Sequence, residues 1–160
     1  MIDVDPGTRI GHVHLKVADL DRAVAFYRDV LGFDEQARLG DQAAFLSAGG
    51  YHHHIGLNTW QSRGGTAPPP GTTGLFHAAI LYPTREGLAR AVRGVIEARH
   101  PLSGASDHGV SEAIYLDDPD GNGLELYWDR PQDAWPYNDQ GQVAMFTAPL
   151  DLDGLLALAR

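Results

Sequence analysis

The sequence predicts an α+β fold in which one unit, a strand, a helix and then several strands, is used twice. Three observations predict it. Residues 9–33 (RIGHVHLKVADLDRAVAFYRDVLGF) and 75–99 (LFHAAILYPTREGLARAVRGVIEAR) each read as a strand followed by a capped helix. An offset of 65 residues lays one on the other, carrying His12 onto His77 and the cap Asp19 onto the cap Thr84. The rest of each copy is short apolar or alternating runs broken by Gly, Asp and Asn, which is strand-and-turn chemistry.

The first strand alternates Val13, Leu15 and Val17 with His12, His14 and Lys16. Asp19 then caps a helix with Asp21 in its first turn. Val24, Tyr27 and Leu31, with Ala23, Phe26 and Val30, form its apolar face, and Gly32 ends it. Strands follow at 34–39, 43–47 and 52–59. The second copy opens with a strand over 76–82, stopped by Pro83. Its helix buries Leu88, Ala91, Val92, Val95 and Ile96. Strands at 102–109, 112–116 and 123–128 follow, the last two joined by the turn DDPDGNG (117–123). The expected organisation is one domain over 1–160: a first module at 9–60, a Gly/Pro-rich linker loop at 61–74, a second module at 75–130, and a C-terminal extension at 131–160 ending in a short capped helix.

The 160 residues carry a net charge of −9, which argues against nucleic acid or an anionic membrane as partner. There is no cysteine, so thiolate metal sites, cysteine nucleophiles and disulfides are excluded. Any metal must rest on His, Asp, Glu or water. The first ten residues lack an apolar signal-type core, and the expected location is the cytoplasm.

Strand parity sorts the eight histidines. His12 and His14 lie opposite Val13 and Leu15; His77 lies opposite Ala78 and Ile80; Glu125 lies opposite Leu124 and Leu126. With helices covering the aliphatic faces, His12, His77 and Glu125 project from the other face. Two histidines and one carboxylate on rigid strands can form a facial triad for a divalent metal. A single His at the start of a strand is ordinarily just hydrogen-bonded. Its recurrence at equivalent repeat positions, beside an inward Glu whose desolvation a metal would relieve, is what points to ligation.

The segments GHVHLKVADLDRAVAFYRDVLGF and LDDPDGNGLELYW resemble the module signatures of the vicinal oxygen chelate superfamily: glyoxalases, bleomycin-resistance proteins, fosfomycin-modifying enzymes and extradiol dioxygenases. The likeness spans residues 9 to 130. It implies paired βαβββ modules whose mixed, curved sheets surround a central metal pocket. It implies metal ligands at His12, His77 and Glu125, with Fe(II), or else Mn(II) or another divalent metal. Glyoxalase I takes a fourth ligand, usually Glu, from the last strand of the first module, and HHHIGLNTW offers no carboxylate there. The chain is more similar to small catechol 2,3-dioxygenases, which carry a His-His pair in that strand for proton transfer.

That resemblance implies a metal-dependent extradiol dioxygenase acting on a small aromatic diol and O2, assembled as a homodimer or larger homo-oligomer. The pair falls on His52 and His53, giving the acid–base role to His53; strand parity instead points His54 inward, so both stay open. The resemblance also implies that Tyr115, ten residues before Glu125, hydrogen-bonds substrate and that His108 closes on it. The alternatives are another metal-dependent member, of glyoxalase, fosfomycin-transferase or isomerase type, and a metal-free binding protein of the bleomycin-resistance kind.

Overall fold

The computed structural model describes residues 3–160. Contacts separate two compact units, residues 3–29 with 33–66, and Val30–Gly32 with Ala67–Arg160.

The first unit runs β1 (Val13–Lys16), α1 (Leu20–Ala25), β2 (Asp34–Leu39), β3 (Ala43–Ser47) and β4 (Ile55–Asn58). The sheet order is β1-β4-β3-β2, with β1 parallel to β4 and the other pairs antiparallel. Two short connections make the β2-β3-β4 meander, and the helical crossover leaves β1 lying along β4 in the same direction. The Asp19 carboxylate accepts the Arg22 N–H at 3.0 Å and starts α1 as expected. Beyond Ala25 the helix widens into a π-helical turn, Phe26–Val30. Phe26 and Tyr27, adjacent in sequence, are thereby both buried, with their rings edge to face at 5.1 Å. Gly32 then takes φ +81°, the left-handed conformation that ends the helix. α1 packs on β3 and β4. Leu20, Ala23 and Val24 share the core with Ala44, Leu46, Ile55 and Leu57, and each larger member contributes about 1.5–3 kcal/mol on burial.

One expectation fails here. The last strand of this unit begins at Ile55, not His52. Gly49 and Gly50 both take left-handed conformations, at φ +67° and +77°, and turn the chain just before the histidines. His54 is the last residue tied to the ladder, donating to the Leu46 carbonyl and accepting from the Val13 N–H.

The second unit runs β5 (Ala78–Leu81), α2 (Arg85–Glu97), β6 (Gly104–Asp107), β7 (Ser111–Asp117) and β8 (Gly123–Asp129). A 3₁₀ turn (Gln132–Ala134), a two-residue strand β9 (Ala148–Pro149) and α3 (Leu152–Leu156) follow. The order β5-β8-β7-β6-β9 repeats the first sheet and adds one strand that the sequence did not announce. β5 and β6 are shorter than the 76–82 and 102–109 expected. Thr84 caps α2 by accepting the Gly87 N–H at 3.0 Å. The buried face of α2 is Leu88, Ala89, Val92 and Val95; Ile96, expected inside, is 41% exposed, because Ala89 rather than Ile96 completes the stripe over the sheet. α3 packs on α2, with Leu155 buried and the Arg93 guanidinium donating to the Leu156 carbonyl at 2.7 Å.

Two features fix β7 and β8. At the turn, the buried Asp118 carboxylate accepts the backbone N–H groups of Asp120 and Asn122 and the Asn122 side-chain amide, all at 2.9 Å. That sets the register Tyr115↔Glu125. On the helix-covered face, buried Glu112 accepts from Arg85 at 2.7 Å and from Arg130 at 3.2 Å. Arg130 also makes a two-point contact with Asp107 at 2.7 and 2.9 Å. Glu112 would be costly alone; two guanidiniums offset its desolvation. Among the described residues no helix is long and apolar enough to cross a membrane.

Candidate metal and proton-transfer site

In each unit one sheet face is covered by helix and the other carries the chemistry. In the first unit that face gathers rings. His14 pairs across the ladder with Gly56. The glycine is required: a Cβ there would lie 2.9 Å from the His14 ring. The His14 ring meets Phe45 edge-on at 5.9 Å and Trp60 at 5.6 Å. The His53 ring lies 4.4 Å from that of His12 and 5.1 Å from that of Phe45. His52 Nδ1 and His53 Nδ1 are 2.7 Å apart, so one donates to the other. The His54 ring instead lies 4.7 Å from Tyr51, and its Nδ1 accepts the Ala48 N–H at 3.3 Å.

Burial, and then the neighbouring His12, His52, His14 and His54, hold the His53 imidazole below its ordinary value. Burial and then His12 do the same to His14. Both effects favour the neutral, proton-accepting form.

In the second unit the face is joined by hydrogen bonds. β5 and β8 run parallel with Ala79↔Glu125 and Leu81↔Tyr127. Gly123 lets them close up, because a side chain there would strike the Phe76 carbonyl. His77, just ahead of β5, reaches Glu125 Oε2 with its Nε2 at 2.9 Å. The Tyr115 hydroxyl is 3.3 Å from Glu125 Oε1 and 2.6 Å from His108 Nε2. His108 Nδ1 in turn is 2.9 Å from the Phe146 carbonyl. Burial, and then the Glu125 charge, push the Tyr115 phenol up to about 12. It is therefore a proton donor at neutral pH.

Of the three expected ligands, His77 and Glu125 are paired in the second unit and His12 belongs to the first. Among the described residues no three His, Asp or Glu side chains are grouped as a preformed metal site. The donor set still suits a divalent cation: an imidazole nitrogen and a carboxylate oxygen converge across a parallel strand pair. Of the other expected site residues, Tyr115 and His108 form one row with Glu125, while His53 packs on His12 and His54 on Tyr51. The sequence reading missed Phe146, whose part is played by a backbone carbonyl and so leaves no residue signature. His100 Nε2 sits 2.7 Å from the Asp117 carbonyl. A cavity of about 180 Å³ lies there, lined by His100, Pro101, Leu102, Ser103, Asp117 and Asp118. It contains none of the expected site residues.

Comparison with known proteins follows the same lines. Residues 9–126 match the model of the Glyoxalase/Bleomycin resistance protein/Dioxygenase superfamily. The chain is 40% identical over 157 residues to a catechol-2,3-dioxygenase of Bacillus subtilis, covering 98% of this chain and 54% of that protein. It is 32% identical to biphenyl-2,3-diol 1,2-dioxygenase 3 of Rhodococcus globerulus, covering 81% of this chain and 69% of that one. It is 27% identical to a probable lactoylglutathione lyase of Vibrio parahaemolyticus, covering 79% and 94%. The chain thus spans about half the length of its Bacillus relative. A glyoxalase/dioxygenase structure from Nostoc punctiforme superposes with a TM-score of 0.66 at 20% identity, covering 82% of this chain and 99% of that one.

Proposed function

Because the chain belongs to the Glyoxalase/Bleomycin resistance protein/Dioxygenase superfamily, we propose that it is an extradiol-type ring-cleaving dioxygenase acting on a small aromatic diol and O2. The observation that carries this reading is the row His108–Tyr115–Glu125, with His77 on the same carboxylate. It sets a neutral phenol donor beside a carboxylate and imidazole suited to a metal. His12, His77 and Glu125 would hold Fe(II), with Mn(II) or another divalent cation as the alternative. When bound, the metal supplies Lewis acidity toward two adjacent phenolic oxygens and redox capacity toward O2.

The chain's own residues supply the rest. His53, kept neutral by burial and by neighbouring imidazoles, accepts a phenolic proton and later returns it. His54 is the alternative in that role. The Tyr115 oxygen, its own proton retained at neutral pH and lying on the 2.6 Å contact to His108 Nε2, holds a substrate hydroxyl by accepting its hydrogen. His108 orients that hydroxyl. Both atoms of O2 end in the ring-opened product, so no external reductant is needed.

The test is anaerobic loading with Fe(II), addition of a catechol panel, then O2, with the yellow ring-opened product followed by absorbance. A protein with stoichiometric iron and no product from the whole panel sinks the reading. The second reading is a metal-dependent isomerase, favoured by the lyase likeness that spans nearly the whole of that relative. Against it, β4 reads Ile-Gly-Leu-Asn and offers no carboxylate for a fourth ligand. Turnover of the glutathione–methylglyoxal adduct by the same metal-loaded protein would favour the isomerase.

A further inference from the structure

We propose that Phe146–Pro149 is a strap that positions His108: the Phe146 carbonyl fixes the imidazole as its Nδ1–H tautomer and so turns the Tyr115 hydroxyl proton toward His108 and away from Glu125. The proposal deepens the functional reading above and rests on it for the role of Tyr115.

A carbonyl oxygen can only accept. With His108 Nδ1 2.9 Å from the Phe146 carbonyl, that nitrogen must carry the hydrogen. A neutral imidazole has one N–H, so Nε2 is left as an acceptor. It lies 2.6 Å from the Tyr115 oxygen, against 3.3 Å from that oxygen to Glu125 Oε1. The phenol has one proton, and the shorter contact takes it. Glu125 Oε1 then keeps its lone pairs for a metal, while Oε2 faces His77. With the other tautomer, Nε2–H would point at the phenol, and the Tyr115 hydroxyl would turn to donate to the carboxylate.

The strap is held at several points. Asp107 and Ser106 of β6 pair with Ala148 and Pro149 of β9. The Phe146 N–H donates back to the His108 carbonyl at 3.3 Å. The Phe146 ring lies over Gly109, which has φ +77° and no room for a side chain: a Cβ would sit 2.5 Å from the ring and 3.0 Å from Pro136. Thr147 Oγ1 stands 3.4 Å from His108 Nδ1 and can share the same hydrogen as an acceptor. The segment lies beyond residues 9–126, so the superfamily pattern does not itself supply it.

The test reads the tautomer directly. The full chain is labelled with ¹⁵N-histidine and its ring nitrogens are correlated with ring protons at neutral pH, without metal or substrate; His108→Gln assigns the signal. The expected result is a protonated Nδ1 and an unprotonated Nε2 at His108. Protonation at Nε2 alone overturns the proposal. Phe146→Ala and Gly109→Ala loosen the strap. Each is expected to shift His108 toward the Nε2–H form and, once metal-loaded, to lower kcat about tenfold or more with little change in KM. If Gly109→Ala does not fold, Phe146→Ala decides, since it adds no atoms. A folded Phe146→Ala protein with the wild-type tautomer also overturns the proposal. The spectrum needs no turnover. Nδ1–H His108 in a protein inert to all catechols therefore sinks the functional reading and keeps the strap, and Nε2–H His108 in an active enzyme does the reverse.

Discussion

Equivalent ladder rows of the two units carry opposite chemistry. In the first, His14, Gly56, Phe45 and Ala37 stand side by side across β1, β4, β3 and β2. In the second, Ala79, Glu125, Tyr115 and Gly104 occupy β5, β8, β7 and β6. The large polar group has moved from the first strand to the last, and the small residue has moved the other way. The ring on the third strand has gained a hydroxyl. The first row has room for one reaching side chain across its parallel strand pair, since a Cβ at Gly56 would collide with His14. The first row is consequently held by ring packing and the second by hydrogen bonds. The missing carboxylate in β4 is thus a steric consequence of His14.

Changes that blur or exaggerate this difference have graded effects. The largest is expected at Glu125. Glu125→Ala removes the carboxylate that both His77 and Tyr115 address, and should abolish divalent-metal binding in calorimetry while the far-UV circular dichroism is unchanged; stoichiometric metal in the variant would remove Glu125 from the ligand set. Tyr115→Phe makes the second row resemble the first. Metal content should hold while kcat falls about a hundredfold, read by stopped-flow absorbance; an unimpaired rate would leave Tyr115 with packing alone.

Gly56→Ala should cost about 1–3 kcal/mol in urea unfolding by overpacking His14. His14→Ala in the same chain should recover most of that loss, and strict additivity of the two changes would contradict the steric account.

The smallest effect concerns acid stability. The Arg130 hydrogen bond holds the Asp107 carboxyl below its ordinary value of 3.8. A depressed carboxylate contributes stability that is fully present above the unfolded-state value and is lost as pH falls through the folded one. Arg130→Met should therefore lower Tm at pH 7, with the gap from wild type closing below about pH 4. A gap independent of pH would mean that Arg130 acts by packing.

Local chemistry was legible and distant partnership was not. Asp19, Thr84 and Gly32 mark helix ends because capping is decided within three or four residues. β2 and β3 match the sequence reading residue for residue. Parity turned Glu125 inward and the resemblance supplied Tyr115; the Asp118 turn sets the register that pairs them. The histidine triplet was read as strand because its apolar sequel is strand, while the two left-handed glycines ahead of it decide otherwise. The Arg85–Glu112–Arg130–Asp107 chain joins residues far apart, and no spacing rule reveals it. The contact from His108 to the Phe146 carbonyl is invisible for a further reason: every residue has a carbonyl.

His77 leads into β5, a strand of four residues at the edge of its sheet, attached to that sheet through β8 alone. Such a strand is expected to close late, since its partner is reached only after the intervening helix and hairpins have formed. It is also among the first to open. An ion shared by His77 and Glu125 would bridge that closure and act as a latch on folding order as well as a reagent. Amide hydrogen exchange across Ala78–Leu81 should slow on metal loading far more than exchange in β7.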